Sequence, residues 1–343
     1  MKWSHLPLEQ FVDFNNGKSI KPSEKGIFPA FGSNGIIGYS DNYLYDKGII
    51  IGRVGANCGS VEISLNNFWP SDNTIVVKPK PNADLVFVYY LLKNYPLNSY
   101  AGGSAQPLLT QNVLKPIKFK IPDFPIQRRI ASILSAYDDL IENNLKRIKL
   151  LEEKAFLRYK QIVSTEKMVS ENKLEDIIQT VKRKPKVLKS DYKEAGEFPI
   201  IDQSTDFIGG YTNEKDTIYE EIPMIVFGDH TRILKYINFP FACGADGTQL
   251  IKPKDTSICV AYLYFELISC NLSNYHYARH FKFLKEQIIK LPSENVMKAY
   301  QVETNNIFNL IQVLRLQNTK LREARDILLP KLISGQIEVY NFN

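Results

Sequence analysis

The sequence predicts an α/β (α+β) chain in which two similar globular domains are separated by two long antiparallel helices forming a coiled-coil spacer. Three observations predict it. Landmarks recur about 170 residues apart, each repeat opens with short strand-like runs, and each repeat closes on a long apolar stripe of helical period.

The repeat comes first, because a missed repeat misassigns a whole fold. Leu8-Glu9 is answered by Leu174-Glu175, and Phe28-Pro29 by Phe198-Pro199. Gly38-Tyr39 returns as Gly210-Tyr211, and Val77-Lys78-Pro79-Lys80 as Ile251-Lys252-Pro253-Lys254. Pro122 matches Pro292, and Leu151 with Glu153 matches Leu321 with Glu323. Six matches in one order make a duplicated unit, and two copies are too few for a solenoid. The length of 343 residues also fits about two domains.

The front of each repeat is β-rich. Gly48 to Gly52, Thr74 to Val77 and Ile222 to Phe227 are apolar runs set between Gly, Pro, Asn and Asp punctuation. A helix-like stretch follows in each, Leu85 to Asn94 and Ile258 to Ser269.

The back of each repeat is helical. In the first, apolar positions fall at Ile126, Ile130, Ile133, Tyr137, Ile141, Leu145, Ile148, Leu151, Ala155, Tyr159 and Ile162. Their mean spacing of about 3.6 marks an amphipathic helix, some ~55 Å long. The second stripe runs Ile307, Leu310, Leu314, Leu321, Ala324 and Leu328, and Pro330 is expected to kink or end it. Each helix outruns a ~120-residue domain, whose radius of gyration is only ~14 Å. The stripes are therefore expected to bury each other, with Asn143-Asn144 and Gln317-Asn318 on or beside the seam, where polar residues set register. The expected boundaries are 1–124 for the first domain, 125–164 for its helix, 165–293 for the second domain, and 294–343 for the second helix and tail. Ordinary surface helices, each packed on its own domain, are the alternative.

Composition narrows the function little. The net charge of +6 suits a polyanionic partner, and basic residues cluster in Lys182-Arg183-Lys184-Pro185-Lys186 and from Arg279 to Lys285. Cys58, Cys243, Cys259 and Cys270 show no paired spacing, which fits a reducing compartment. Met1 to Pro7 has no apolar leader core, and the longest apolar run, Val86 to Leu92, is too short to span a bilayer. A cytoplasmic location is expected.

The chemistry of catalysis is missing. The sequence has no Pro-Pro pair, hence no amino-methyltransferase motif of the Asn-Pro-Pro-Tyr kind, and no Gly-x-x-x-x-Gly-Lys-Ser/Thr loop for ATP. Pro122-Asp123 with Glu152-Glu153-Lys154 mimics a nuclease pattern, but its second part falls in the middle of the long helix. His276 and His280, with Cys270 nearby, stand at ligand spacing without a second ligand pair, so no metal is expected.

The family resemblance rests on four stretches. Gly103-Ser104-Ala105-Gln106-Pro107-Leu108-Leu109-Thr110-Gln111-Asn112-Val113-Leu114-Lys115, followed by Ile121-Pro122, resembles the close of recognition domains in Type I restriction–modification specificity subunits. Pro125-Ile126-Gln127-Arg128-Arg129-Ile130-Ala131 is similar to the start of their spacer helix, although Glu-Gln often stands there in place of Ile126-Gln127. Arg279-His280-Phe281-Lys282-Phe283-Leu284 and Leu328-Leu329-Pro330-Lys331-Leu332-Ile333-Ser334-Gly335 resemble the second domain and the C-terminal helix. The second half departs from the pattern by lacking the Gly-Ser-x-Gln-Pro run.

The resemblance implies a non-catalytic DNA-reading scaffold, each domain reading one half of a bipartite, asymmetric site. It also implies modification (methyltransferase) subunits, two of them, and restriction (translocase/endonuclease) subunits as partners. S-adenosylmethionine, ATP and Mg are then expected on those partners and none on this chain. A stand-alone DNA-modifying or DNA-cleaving enzyme with an unrecognised active site, and a two-headed adaptor binding only proteins, remain the rival readings.

Base edges are read by paired donors and acceptors, and phosphates are gripped by cations. Candidate DNA contacts in the first domain are Lys18, Lys21, Arg53, Asn57, Ser104, Gln106 and Gln111, with Arg53 and Asn57 on a flexible turn after a strand. In the second they are Lys182, Arg183, Lys184, Arg232, Arg279, His280 and Lys282. The expected helix-packing residues are Ile133, Tyr137, Ile141, Leu145, Ile148, Leu151, Ile307, Leu310, Leu314, Leu321 and Leu328.

Overall fold

The computed structural model describes residues 3–103, 107–244, 247–271 and 280–339. Two compact units emerge, one from residues 1–143 with 318–343 and the other from 144–317.

In unit 1 the chain runs β1 (Trp3–Pro7), β2 (Val12–Asn16), β3 (Phe28–Gly32), β4 (Gly35–Ser40), β5 (Gly48–Gly52), β6 (Val61–Ser64), β7 (Trp69–Pro70), β8 (Thr74–Pro79), α1 (Leu85–Lys93), α2 (Gln111–Leu114) and β9 (Lys118–Pro122). Helix α3 (Phe124–Thr165) then leads from unit 1 into unit 2. Unit 2 continues with β10 (Met168–Lys173), α4 (Leu174–Ile177), β11 (Phe198–Ile201), β12 (Gly210–Thr212), β13 (Ile218–Tyr219), β14 (Met224–Gly228), β15 (Leu234–Ile237), β16 (Phe241–Cys243), β17 (Thr248–Ile251), α5 (Val260–Ser269), α6 (His280–Lys285) and β18 (Ile288–Pro292). Helix α7 (Glu294–Ser334) runs from unit 2 into the last part of unit 1.

The repeat read in the sequence is a repeat of topology. In unit 1 the order β2-β8-β5-β6 places β5 between β8 and β6, and in unit 2 the order β15-β14-β17 places β14 between the corresponding strands. Val77 lies opposite Ile49 and Ile251 opposite Ile225, so the two Lys-Pro-Lys landmarks occupy the same rung. The parallel pair β3–β7 returns as β11–β16, and Pro29 opposite Tyr39 returns as Pro199 opposite Tyr211. Pro122 and Pro292 end the antiparallel pairs β1–β9 and β10–β18. Leu8 and Leu174 are fully buried, each held by its amide to a carbonyl 2.9 Å away, on Ile117 and Gln287.

β5 and β14 are buried along their whole length, which is why both read as continuous apolar runs. Against each lies one helix: α1, capped by Asp84 through the amides of Val86 and Phe87, and α5.

Within each unit α3 and α7 run antiparallel. In unit 1, Arg325 pairs with Asp138 while Asn318 Nδ2 donates to the Ile141 carbonyl at 3.3 Å. In unit 2, Arg315 meets Glu152 at 2.8 Å, and farther along Tyr300 Oη donates to the Ala155 carbonyl at 2.9 Å. Gln127 fixes the start of α3: its amide donates to the Pro122 and Asn82 carbonyls and accepts from the Asp84 amide.

Besides Ile126 and Ala131 near its start, the buried positions of α3 are Gln127, Ile130, Leu134, Ile141, Asn144, Ile148, Ala155, Tyr159 and Ile162, and those of α7 include Tyr300, Thr304, Ile307, Ile311, Leu314 and Asn318. These steps alternate three and four, the 3.5-residue period of paired helices. Ile141, Ile148, Ile307 and Leu314 are buried as expected, and Ile133, Tyr137, Leu151, Leu321 and Leu328 are half-buried. Leu145 and Leu310 correct the sequence reading, being 48% and 39% exposed. Their places in the stripes go to Asn144 and Ile311, because a 3.6-residue count drifts off a 3.5-residue seam and an apolar count overlooks a buried amide. Of the two outcomes expected at Pro330, an end to the helix is corrected, since α7 continues through it to Ser334. Leu329, Leu332 and Ile333 around it are buried in the unit 1 core, and that packing outweighs one lost backbone hydrogen bond near a helix end.

Candidate nucleic-acid interface

The two units are most informative where the buried strands β5 and β14 end. β5 finishes at Gly52 opposite Thr74, and β14 at Gly228 opposite Thr248, the same rung of the repeat. Both glycines are needed for close approach. A Cβ on Gly52 would lie 2.5 Å from Ser60 Oγ and 2.8 Å from the Ser33 carbonyl, and one on Gly228 would lie 2.2 Å from Thr231 Oγ1.

Both loops close with the same pair of hydrogen bonds. In unit 1 the Gly52 amide donates to the Ser60 carbonyl at 2.9 Å and the Gly59 amide returns to Gly52 at 2.8 Å. In unit 2 the Gly228 amide donates to Ile233 at 2.8 Å and the Arg232 amide returns to Gly228 at 2.8 Å. A third bond ties each loop to the chain just before or at the start of the next short helix. Leu109 donates to the Arg53 carbonyl at 2.8 Å, and His280 donates to the Asp229 carbonyl at 3.1 Å. Arg53 thus corresponds to Asp229, Gly59 to Arg232, and Leu109 to His280.

Arg53 is half-buried, and its turn is braced rather than loose. The Arg53 amide donates to the Asn73 carbonyl at 3.0 Å, Cys58 Sγ reaches the Arg53 carbonyl at 3.3 Å, and Ser33 Oγ accepts from the Val54 amide at 3.3 Å. Asn57 is exposed on the same turn. In unit 2, Asp229 is 3% exposed and its carboxylate accepts from the Phe281 amide at 2.8 Å. His280 is 5% exposed, and Arg232 Nε donates to its Nε2 at 3.3 Å. Burial, with the Arg232 charge beside it, holds the His280 imidazole below its usual pKa.

Among the described residues, two buried side-chain nitrogens lack any hydrogen-bond partner: Arg53 Nε and His280 Nδ1. Arg53 lies on the loop after β5, and His280 opens α6 and is bonded to the loop after β14. An unsatisfied buried polar atom costs about 1–3 kcal/mol and is rare in native cores. One such atom stands near the end of the buried strand in each unit, though Arg53 and His280 are not counterparts in the repeat.

The other expected contacts are dispersed. Lys18 and Lys21 are exposed, with the Lys18 carbonyl accepting from Trp69 Nε1 at 3.0 Å. Gln111 opens α2 and donates to Asn16 Oδ1 at 2.8 Å. Lys182 is exposed, whereas Arg183 bonds the Thr248 carbonyl at 3.0 Å and Gln249 Oε1, and Lys184 bonds the Ile218 carbonyl over the Tyr219 ring. The last two side chains fasten this basic strap to unit 2. Lys282 is exposed on α6. Ser104, Gln106, His276 and Arg279 lie outside the described residues. Of the nuclease-like pattern, Glu152 is held by Arg315 at 2.8 Å. The sequence reading missed Asp229, whose signal was its place one residue after the Gly that ends the second apolar run.

The family model for the Type I restriction modification DNA specificity domain matches twice, over residues 1–153 and 166–323. The chain belongs to that family. Among similar proteins are the specificity subunit of Type I restriction enzyme EcoprrI of Escherichia coli, 36% identical over 121 residues, and that of MjaIX of Methanocaldococcus jannaschii, 24% identical over 347 residues. The first match takes in 35% of this chain and 30% of its relative, the second 86% and 79%. The crystal structure of the Type I S subunit from M. genitalium shares the fold, with a TM-score of 0.66, 18% identity, and 99% of this chain and 97% of that one covered. The molecule is thus a specificity subunit with two recognition domains, the non-catalytic, DNA-recognition class of component. No described helix is long and apolar enough to cross a membrane.

Proposed function

We propose that this specificity subunit reads a split, asymmetric duplex DNA site, one half per unit, through the loops that end β5 and β14. The supporting observation is that an orphaned buried nitrogen stands at the strand end of each unit, Arg53 Nε on the loop after β5 and His280 Nδ1 on α6 against the loop after β14. Same topology with different side chains is what two dissimilar half-sites require. Lys18, Lys21, Lys182 and Lys282 supply phosphate contacts that orient the duplex without selecting its sequence.

Two modification subunits and the restriction subunits are the partners, in the cytoplasm. They carry S-adenosylmethionine, ATP and Mg, so that recognition and chemistry sit on different chains. Methylome sequencing of cells expressing this chain with its modification subunit tests the reading. A split motif with unlike halves is expected, and a palindromic motif, or none, would sink it. Binding by the assembled complex should also fall steeply with added salt, as counterion release demands.

A further inference from the structure

Arg53 carries a charge that the fold leaves unanswered. The residue is half-buried, and arginine is seldom enclosed without an anion to pair with. No described residue bonds to, pairs with or stacks on its guanidinium. Of its three nitrogens, Nε is the one that is enclosed as well as orphaned. The Nη1/Nη2 edge therefore keeps its contact with solvent and both of its paired donors.

The backbone beneath that edge is fixed. The Arg53 amide donates to the Asn73 carbonyl at 3.0 Å, and its carbonyl accepts from the Leu109 amide at 2.8 Å. Ser33, between β3 and β4, donates through Oγ to the same Asn73 carbonyl at 2.8 Å and accepts from the Val54 amide at 3.3 Å, while its carbonyl takes the Ser60 hydroxyl at 2.7 Å. The β3–β4 turn, the loop after β5 and the residue before β8 thus form one bonded block on which Arg53 is rooted. An arginine edge so held meets acceptors as a pair, and in the major groove that pair is O6 and N7 of guanine. A phosphate offers paired oxygens too, but phosphates run along both half-sites alike, and gripping them calls for a cation at this place in each unit. Unit 2 has Asp229 there, 3% exposed and turned onto the Phe281 amide at 2.8 Å. A place that changes from cation to anion between two copies of one fold distinguishes the half-sites, as a base contact does and a phosphate contact does not.

We propose that Arg53 reads a guanine in the half-site of unit 1 through its Nη1/Nη2 edge. The proposal rests on the DNA-reading function above and assigns one base pair within it. The test uses the whole chain assembled with its modification subunits and compares Arg53→Lys with Arg53→Gln. Arg53→Lys keeps the charge and gives up the planar fork, and Arg53→Gln gives up both. No described residue pairs with the Arg53 side chain, so neither variant strands a partner, and each melting temperature should stay within about 2 °C of the parent.

In methylome sequencing both variants should make one guanine–cytosine pair of the parent motif degenerate, within one half, while the other half is unchanged. Should methylation vanish in the variants, binding to duplexes in which each guanine–cytosine pair of the motif is replaced in turn decides. A preference of about 10- to 100-fold for guanine at one pair, present in the parent and gone from both variants, supports the proposal. Equal weakening on every duplex makes Arg53 a phosphate contact and overturns it, and so does a preference that Arg53→Lys retains. An unchanged motif, or a split parent motif in which the relaxed pair is adenine–thymine, overturns it as well. A parent motif that is not split would instead sink the DNA-reading function.

Discussion

Unit 1 and unit 2 use one topology and place opposite chemistry at the same spot. At the end of β5 the first residue of the loop is a cation, Arg53, the closing residue is Gly59, and the crossing residue is Leu109. At the end of β14 the same places hold Asp229, Arg232 and His280. The scaffold bonds are conserved between the loops to within a few tenths of an ångström, because they are backbone to backbone and indifferent to side chain. The comparison teaches that the fold fixes where a reading group stands and leaves its identity to the loop. It also shows that the cation has moved from the start of the loop to its end.

The largest expected break in the parallel lies beneath the second loop. Lys235 in β15 corresponds to Glu62 in β6, since Lys235 faces Val226 and Glu62 faces Ile50. Glu62 is exposed, whereas the Lys235 side chain is 4% exposed, 3.8 Å from Asp202 and bonded to the Asp202 and Asp206 carbonyls. Removing one member of such a pair strands the other, so Lys235→Ala and Lys235→Met, neither of which returns the charge, should each destabilise unit 2 by roughly 3–5 kcal/mol. Denaturant unfolding of the full chain should resolve this as a loss in one unit only, and a Lys235→Met variant as stable as the parent would contradict it. Burial pushes the Asp202 carboxyl up, but the Ser204 hydrogen bonds and the Lys235 charge outweigh it and hold the pKa below the usual value of 3.8. The stabilisation is therefore present above that value and lost as pH falls through the lower folded one.

Next in size is the first reader. Arg53→Ala in the assembled complex should weaken discrimination at the unit 1 half-site by about 10- to 100-fold and leave the other half unaltered. Competition binding with half-site variants measures it, and an effect shared by both halves would mean that the loops are not separate readers.

A smaller, conditional difference is acid sensitivity confined to unit 2. The His280 imidazole faces Arg232, Asp229 and His230, and its folded pKa lies below 6.5. The unfolded chain takes up that proton first, so the stabilising contribution is present above 6.5 and is lost as pH falls toward and through the folded value. Protonation then removes the acceptor for Arg232 Nε. Discrimination at the unit 2 half-site should decline below about pH 6.5, while unit 1, with Leu109 in this place, should stay level and His280→Gln should flatten the profile. A parallel decline in both units would point to a general acid effect.

The smallest effect is electrostatic. Lys182→Ala should lower binding alike on every sequence and reduce the salt-dependence slope by about one, read from titrations at several salt concentrations. A change in motif would assign Lys182 to base reading.

The repeat was legible because its landmarks are strand-ending prolines, tight-approach glycines and fully buried leucines, which tolerate few substitutes. Leu8 and Leu174, or Pro122 and Pro292, advertise their places in the chain itself. The candidate site was only half legible. Arg53 stood out between glycines, but Asp229 looked like any loop carboxylate, and the link from Arg232 to His280 joins residues far apart in sequence. The helical stripe was read in the right region and one residue out of phase at Leu145 and Leu310. Apolar counting cannot register Asn144 and Asn318, whose burial depends on the partner helix.

By itself, then, the sequence determined the duplication, the alternation of β-rich fronts with helical backs, and the absence of the loops that ATP or methyl transfer would need. Those are properties of local pattern, and local pattern survives in one dimension. Tertiary structure alone decided that α3 and α7 are each shared between units, which amide of each polar pair is buried in the seam, and that Gly59 and Arg232 close equivalent loops. Such facts arise from backbone hydrogen bonds and burial between distant segments, whose energies depend on distances that no linear spacing encodes.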